Sequence, residues 1–206
     1  MNTTTGSRNE IRLRGPLKAG DLFSLEQYAR QRSDFRSRVI EHKKLRTIPI
    51  GPNSTWVFED RLTIQYQIQE MLRVERIFEP EGIQDELDSY NPLIPDGTNW
   101  KATFMIEYPD AEERKAALAR MRGIERKCYV QVAGFDRVFA IADEDLERET
   151  EEKTSSVHWL RFELTPAMRS AVKSGTQVTV GIDHPAYGHS VNLSAESIAS
   201  LARDLD

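Results

Sequence analysis

Two histidines are candidate metal ligands. His158 alternates with Leu160 and Phe162 in a predicted strand, so its side chain is expected on the same inward face. His184 stands where a second predicted strand gives way to a proline turn, a place at which a rigid scaffold often presents a functional side chain. Because imidazole binds iron and other divalent metals, the two side chains would supply two ligands if their strands were neighbours.

The predicted helix from Asp60 to about Phe78 offers a candidate for a third ligand. Its apolar residues extend around much of its surface, which predicts burial, yet polar residues are interspersed among them, and buried polar groups need partners. Either Glu70 and Arg73, one turn apart, form an ion pair and the glutamines line a solvated edge, or these groups face a polar pocket. In the second case Glu70, His158 and His184 would resemble a two-histidine, one-carboxylate site for iron or another divalent metal.

Other chemistries have less support in the sequence. The single cysteine, Cys128, excludes an intramolecular disulfide and a cysteine-rich metal cluster within this chain, and a cysteine in a strand is usually inert. No nucleophile elbow, zinc-binding HExxH motif or glycine-rich phosphate loop is present. His42 is predicted to be solvent-exposed and His189 to lie on a loop, and the acidic run from Asp143 to Lys153 is predicted to be a solvated loop or frayed helix.

The net charge of −5 is unevenly distributed, since residues 1–48 contain eleven Lys or Arg and five acidic residues. The favoured interpretation is an arginine-rich helix docked on the acidic remainder of the same chain. Nucleic-acid binding is the disfavoured alternative, because interleaved aromatic residues for base stacking are missing. It would use the following residues: Arg30, Arg32, Arg36, Arg38, Lys43 and Lys44.

Length and composition predict one globular domain. The chain has 206 residues, of which 39% are hydrophobic and 30% charged, and no stretch approaches the roughly 20 apolar residues of a membrane span. The N-terminus has no apolar signal region, so a cytoplasmic location is expected. Residues 1–20 are predicted to be a flexible lead-in and residues 21–206 a single α+β domain.

The order of elements predicts mainly antiparallel pairing. One kinked helix or two short ones, with Ser33 and Asp34 as a cap, are expected up to Lys44, and a hairpin around Gly51 follows. After the central helix, short helices alternate with strands, including a second hairpin formed by KCYVQVA and RVFAIA. Connections this short favour an antiparallel sheet with helices packed on one face, which is an α+β fold.

Several ordered motifs together resemble a known family. FEDRLTIQYQIQEMLRVERI, IQDELDSYNPLIPDG, VHWLRFEL and DHPAY occur in this order and resemble a bacterial domain-of-unknown-function family, number three-five-zero-one. The resemblance extends from about Asp21 to the last helix. Members of that family are encoded beside rubrerythrin-like di-iron proteins and iron–sulfur oxidoreductases, so the resemblance implies redox or peroxide-stress physiology but no catalytic residue.

Two functional hypotheses follow. The first is a metal-binding redox accessory protein that uses Glu70, His158 and His184. The second is a non-catalytic binding or assembly partner of an iron–sulfur or di-iron oxidoreductase, which docks through an exposed apolar patch and is compatible with homo-oligomers. Whether the protein is an enzyme stays open. Residues that would contact substrate or support the ligands are Gln67, Arg73, Tyr90, Asn91, Asp183 and Tyr187.

Overall fold

The structure, a computed structural model, describes residues 15–144 and 152–206, so most of the acidic run predicted as a loop or frayed helix lies outside the described residues. The helices are α1 (Leu25–Lys44), α2 (Arg61–Glu75), α3 (Pro80–Tyr90), α4 (Ala111–Arg120), α5 (Pro166–Lys173) and α6 (Ala195–Ala202), with short 3₁₀ helices at Ala19–Asp21, Asn91–Leu93 and Ile124–Lys127. The strands are β1 (Thr47–Pro49), β2 (Ser54–Phe58), β3 (Asn99–Ile106), β4 (Cys128–Val132), β5 (Val138–Phe139), β6 (Ile141–Ala142), β7 (Val157–Glu163), β8 (Val178–His184) and β9 (Tyr187–Asn192).

Helix α1 is continuous, so the alternative of two short helices is wrong. It begins at the N-cap Ser24, whose hydroxyl accepts a hydrogen bond from the backbone N–H of Gln27. Tyr28, Phe35 and Val39 form one buried stripe that passes the expected break at Ser33 without interruption. The shared buried face outweighs the weak tendency of a serine to start a new helix.

The strands form two antiparallel sheets, which confirms the α+β class and replaces the single sheet of the prediction. The first has the order β1-β2-β3-β7-β6 and the second the order β5-β4-β8-β9. The predicted RVFAIA strand is divided between them, because β5 pairs with β4 and β6 pairs with β7. Between the two pieces, the N–H of Ala140 donates to the carbonyl of Cys128. The chain therefore passes directly from one sheet to the other at this point.

The largest apolar cluster lies between the two sheets. Trp56, Phe104 and Phe162 face it from the first sheet, with the rings of Trp56 and Phe162 stacked 5.4 Å apart. Val130 and Val180 face it from the second sheet. Helices α4, α5 and α6 contribute further side chains to this cluster. Complete burial of each large apolar side chain contributes about 2 to 3 kcal/mol, so this layer supplies much of the driving force for folding.

The other face of the first sheet is covered by α1, α2 and α3. Ile64, Ile68 and Leu72 of α2 form a second cluster, against which Trp159 of β7 packs. Leu17 belongs to the same cluster and is buried. Leu17, which was assigned to the lead-in, therefore already packs against the body of the protein. Among the helices of the described ranges, none has both the length and the apolar character needed to cross a membrane.

One corner ties the two sheets together through Tyr187. Its hydroxyl donates to the carbonyl of Ile50 at 2.8 Å and accepts from the N–H of Asn53 at 2.9 Å, so the β8–β9 hairpin holds the β1–β2 turn. Gly51 in that turn has φ +72°, and an added Cβ would lie 2.6 Å from the His189 ring and 2.7 Å from the Tyr187 hydroxyl. Only glycine fits this position without strain.

Gly51→Ala is expected to lower the free energy of unfolding by about 3 kcal/mol, because it adds a close contact to an unfavourable φ. Urea unfolding followed by circular dichroism measures this change. Gly134→Ala is the matched control, since Gly134 has φ +88° but no described atom within 4 Å of an added Cβ. The control is expected to cost about 1 kcal/mol. Equal losses in both variants would contradict the role assigned to this corner.

Candidate functional site

Glu70 is the centre of an ion-pair cluster between α1 and α2. Its carboxylate accepts two hydrogen bonds of 2.8 Å from Arg32, one of 2.7 Å from the Tyr28 hydroxyl and two of 3.3 Å from Arg73. The Arg32 guanidinium is the main reason that the pKa of Glu70 falls to about 2. Burial, and then the neighbouring carboxylate, raise the pKa of Tyr28. The geometry fits the ion-pair interpretation of the polar helix.

Two side-chain amides hold the segment that precedes α1, and we call them the amide clamps. The first is Gln69, which accepts from the N–H of Phe23 at 2.6 Å and donates to the carbonyl of Phe23 at 3.3 Å. The second is Asn91, which makes the same pair of contacts with Leu17 at 2.7 and 3.0 Å. A carboxamide has the same donor and acceptor as a peptide group, so each clamp replaces a backbone partner. Asn91 is thus engaged in holding the fold.

The basic helix α1 is partly engaged by its own chain. Arg32 is bound to Glu70 as described, and Arg38 lies 5.8 Å from the ring centre of Phe35. Arg30 and Arg36 are exposed. The predicted docking of this helix on acidic groups of the same chain therefore holds for Arg32, whereas Arg30 and Arg36 are exposed to solvent.

His158 is fully buried on the face of β7 that looks toward the second sheet. Its Nδ1 lies 2.6 Å from the carboxylate of Asp143, and its Nε2 lies 3.0 Å from the Thr154 hydroxyl and 3.1 Å from the carbonyl of Ser155. Since a carboxylate can only accept, Nδ1 donates its proton to Asp143. Both ring nitrogens of this buried histidine are therefore engaged by groups of its own chain.

His184, Asp183 and Tyr187 shape and anchor the β8–β9 turn. The Nε2 of His184 donates to the carbonyl of Arg122 at 3.0 Å, and its Nδ1 accepts from the N–H of Ala186 at 3.1 Å, which fixes the neutral tautomer. Asp183 forms a 2.9 Å ion pair with Arg137. Each of these side chains therefore has a local partner that accounts for its position.

The structure does not bring Glu70, His158 and His184 together. The prediction that His158 points inward was correct, and the inward direction is toward the space between the two sheets. Helix α2 covers the opposite face of the first sheet, where Trp159 packs. Within residues 15–144 and 152–206, no group of three or more His, Cys, Asp or Glu side chains is arranged to hold a metal ion. These three residues as placed do not fit a shared metal site.

The remaining predicted site residues lie in separate places. Gln67 is half-buried on α2, and Tyr90 packs against the cluster that contains Ile64 and Leu87. Arg73 belongs to the Glu70 cluster. The predicted substrate-binding groups therefore do not surround one pocket.

A buried charge cluster surrounds Arg46, and the sequence patterns did not predict it. This side chain is 1% exposed and donates to the carbonyls of Phe58 at 2.8 Å and Glu59 at 3.0 Å and to the carboxylate of Asp204. Burial raises the pKa of Asp204 to about 6. An arginine within the apolar LRTIPI strand was the available signal, because arginine is almost never fully buried without partners.

His42 is half-buried rather than solvent-exposed, which corrects its predicted position. Its Nε2 lies 2.5 Å from the carboxylate of Asp60, the N-cap residue of α2. Burial alone would raise the pKa of Asp60, but the hydrogen bond to His42 and the charge of Arg46 lower it to about 2. His189 is exposed but lies within β9 rather than on the predicted loop, and its ring packs 4.6 Å from that of Tyr187.

An apolar surface groove lies where α1 begins and α2 meets α3. The predicted helix was too long at this end, because α2 stops at Glu75 and Arg76 adopts a left-handed conformation with φ 54°. Beyond this turn Phe78 is 65% exposed. The cavity measures about 470 Å³, a size within the range of ligand pockets. We call it the α2–α3 groove, and its lining residues are Ala19, Leu22, Phe23, Ser24, Leu25, Glu26, Gln27, Leu72, Ile77, Phe78 and Ile83.

Comparisons with known proteins give a family and a fold. A family model described as "Protein of unknown function (DUF3501)" matches residues 16–205. The chain is similar to a crystal structure at 1.90 Å resolution of a novel protein of unknown function from Burkholderia pseudomallei K96243, with 51% identity and a TM-score of 0.88. That match covers 92% of this chain and 99% of the other. No curated protein matches.

Replacement of Glu70 by Gln is expected to lower the free energy of unfolding at pH 7 by about 1 to 2 kcal/mol. The shift of the pKa from 4.5 to about 2 corresponds to more, but both arginines are at least one third exposed and water weakens their ion pairs. Since the folded pKa is lowered, the contribution is complete above about pH 4.5 and is lost as the pH falls toward 2. Urea unfolding between pH 7 and pH 3 measures it.

Glu75→Gln is the control for this experiment, because Glu75 is exposed on the same helix. It is expected to change stability by less than about 0.5 kcal/mol. A Glu70→Gln protein as stable as the wild type at pH 7 would show that the cluster contributes nothing to the fold.

The metal hypothesis stays a prediction with its own test. It requires near-stoichiometric iron or another divalent metal in the purified protein by elemental analysis, and loss of that metal in both His158→Ala and Glu70→Gln. Retention of the metal in these two variants would place it elsewhere. Circular dichroism of each variant shows whether the fold is kept, since His158 is buried and its removal takes away one of the hydrogen-bond partners of the Asp143 carboxylate.

Proposed function

Since the chain belongs to the DUF3501 family of proteins of unknown function, its membership assigns no activity, and we propose from the geometry that it is a non-catalytic binding and assembly partner. The α2–α3 groove is its docking surface. The proposal rests on Phe78, a large apolar side chain that lines this groove and is 65% exposed at its rim.

The first support is that the distinctive polar residues are already engaged within the chain. Glu70 binds two arginines and a tyrosine, and Gln69 and Asn91 bind backbone groups. Gln65 also donates to the carbonyl of Asp21 at 2.8 Å. A ligand that used these groups would have to break contacts that hold α1 and residues 17–23 in place. They serve the fold, and the polar face of α2 therefore does not act as a binding pocket.

The second support is the continuity of the groove with the helical-layer core. Leu22, Leu25, Ile77 and Ile83 are only partly buried and pack against the cluster that contains Leu72. Single exposed apolar side chains are ordinary, but apolar side chains that surround a cavity and adjoin a core are typical of interaction sites. An apolar partner segment would extend this core outward.

The proposed partners are the ones that the family resemblance implied. They are iron–sulfur oxidoreductases and rubrerythrin-like di-iron proteins, and in this proposal they hold the metal centres. The chain contributes binding and assembly. Its own side chains carry no step of the chemistry.

Phe78→Asp is expected to weaken association with such a partner by about tenfold or more, because it places a charge in the apolar contact with that partner. The measurement is co-purification and size-exclusion chromatography of purified, tagged protein with each oxidoreductase at micromolar concentration. Because Phe78 is 65% exposed, the fold and the unfolding midpoint are expected to stay the same.

Ile40→Asp is the matched control. Ile40 is 44% exposed on α1 and lies fifteen residues beyond Leu25, which is about 22 Å along the helix. This variant is expected to bind like the wild type. Complexes that form equally with Phe78→Asp, or that are absent with every oxidoreductase, would refute the proposal.

A further inference from the structure

We propose that the occupant of the α2–α3 groove is an amphipathic helix with basic residues, carried by a protein partner. The inference rests on the proposed function and specifies what the docking surface recognises. It follows from three observations: the apolar lining, the elements that form the walls, and the charge of the surrounding segments.

The lining fits a short row of large apolar side chains. Leu72 forms the buried floor at 3% exposure, and Phe78 stands exposed at the rim. A helix that presents apolar residues at positions i, i+3, i+4 and i+7 offers such a row on one side, as in other helix-in-groove complexes. Its polar side would remain in water.

The walls favour a helix over an extended peptide. They consist of the start of α1, the end of α2 and the start of α3, with no lining residue from any strand. An extended segment needs a strand edge to satisfy its N–H and C=O groups, and the groove offers none. A helix satisfies these groups internally, so it loses no backbone hydrogen bonds when water is excluded.

The charge around the groove favours basic residues on that helix. Segments 18–27 and 72–86, which contain all the lining residues, carry seven acidic and three basic residues. One of the three bases, Arg73, is bound to Glu70, and one of the seven acids, Asp21, is bound to Arg61. Helix α3 has four acidic residues and no basic ones. Glu26 lines the groove itself. An excess of negative charge in the segments that form an apolar groove attracts a cationic amphipathic segment and repels an acidic one.

The acidic groups are close enough to influence each other. Burial raises the pKa of Glu86, and the charges of Glu75 and Asp85 raise it further. Positive charges on a bound helix would relieve this repulsion. The attraction is expected to weaken as salt is added, because exposed charges are screened within about 10 Å at 0.1 M salt.

The test uses the full chain and two synthetic peptides of fourteen residues. Both have leucine at every apolar position of the i, i+3, i+4, i+7 pattern, and the other positions are lysine in one peptide and glutamate in the other. Fluorescence anisotropy of labelled peptide measures binding at 50 and 300 mM NaCl. We expect the lysine peptide to bind at least about tenfold more tightly than the glutamate peptide, and to weaken several-fold at the higher salt.

Variants locate the binding on the protein. Phe78→Asp is expected to weaken the lysine peptide by about tenfold or more, and the double variant Glu79→Lys, Glu81→Lys to weaken it several-fold and reduce its salt dependence. The matched controls are Ile40→Asp and the double variant Glu112→Lys, Glu113→Lys. The second control reverses two exposed charges at the start of α4, away from the groove. Both controls are expected to bind like the wild type.

Three results would overturn the inference: equal binding of both peptides, no binding of the lysine peptide at 1 mM, or equal weakening by the α4 control. The last would indicate attraction to any acidic surface. These results differ from failure of the proposed function. A natural oxidoreductase that loses binding to Phe78→Asp while the lysine peptide does not bind leaves the docking surface in place and removes only the basic helix as its occupant.

Discussion

The packing of α2 depends on satisfying the polar groups that this helix carries into the helical layer. One side of α2 presents Ile64, Ile68 and Leu72 to the apolar cluster that covers the first sheet. The remaining surface of α2 carries glutamines, Glu70 and Arg73, which face α1 and residues 17–23. Each unsatisfied buried donor or acceptor would cost about 1 to 3 kcal/mol, so the layer assembles only when partners are supplied. The contacts of Gln69 and of the Glu70 cluster supply these partners. Together with the Asn91 clamp they also fix the path of the chain before α1.

A second polar cluster fastens the opposite end of the same helix. Asp60 caps α2 by accepting from the N–H groups of Leu62 and Thr63, and it also contacts His42 and Arg46. Arg46 in turn reaches Asp204 near the C-terminus. Burying an arginine is costly unless its donors are paired, and here backbone carbonyls and carboxylates accept from it. One guanidinium therefore joins the end of β2, the N-cap of α2 and the last turn of the chain.

Much of the fold was predictable from local sequence patterns, because those patterns report which face of an element is buried. Alternation in β7 predicted its inward residues, and the turn residues around Gly51 predicted the hairpin that β1 and β2 form. The pairing of strands into two sheets was not predictable, since RVFAIA is one continuous apolar run whose division at Ala140 is set by tertiary contacts. The same limit affected the site. Alternation gives the face of His158 but does not say that α2 lies on the other face of β7.

The polar side chains of α2 are unusual because they are interspersed within an apolar pattern, and the structure explains why they are there. Polar residues within an apolar pattern are needed wherever two layers must be joined with a unique register, since apolar contacts alone tolerate sliding. The shape of the α2–α3 groove depends on these polar contacts, although most of them lie outside the groove. Its wall from Leu22 to Leu25 follows the segment held by Gln69, and its rim exists because Arg76 ends α2 in a left-handed turn. Loosening a clamp would therefore move one wall of the groove, so binding there is coupled to contacts that no partner touches.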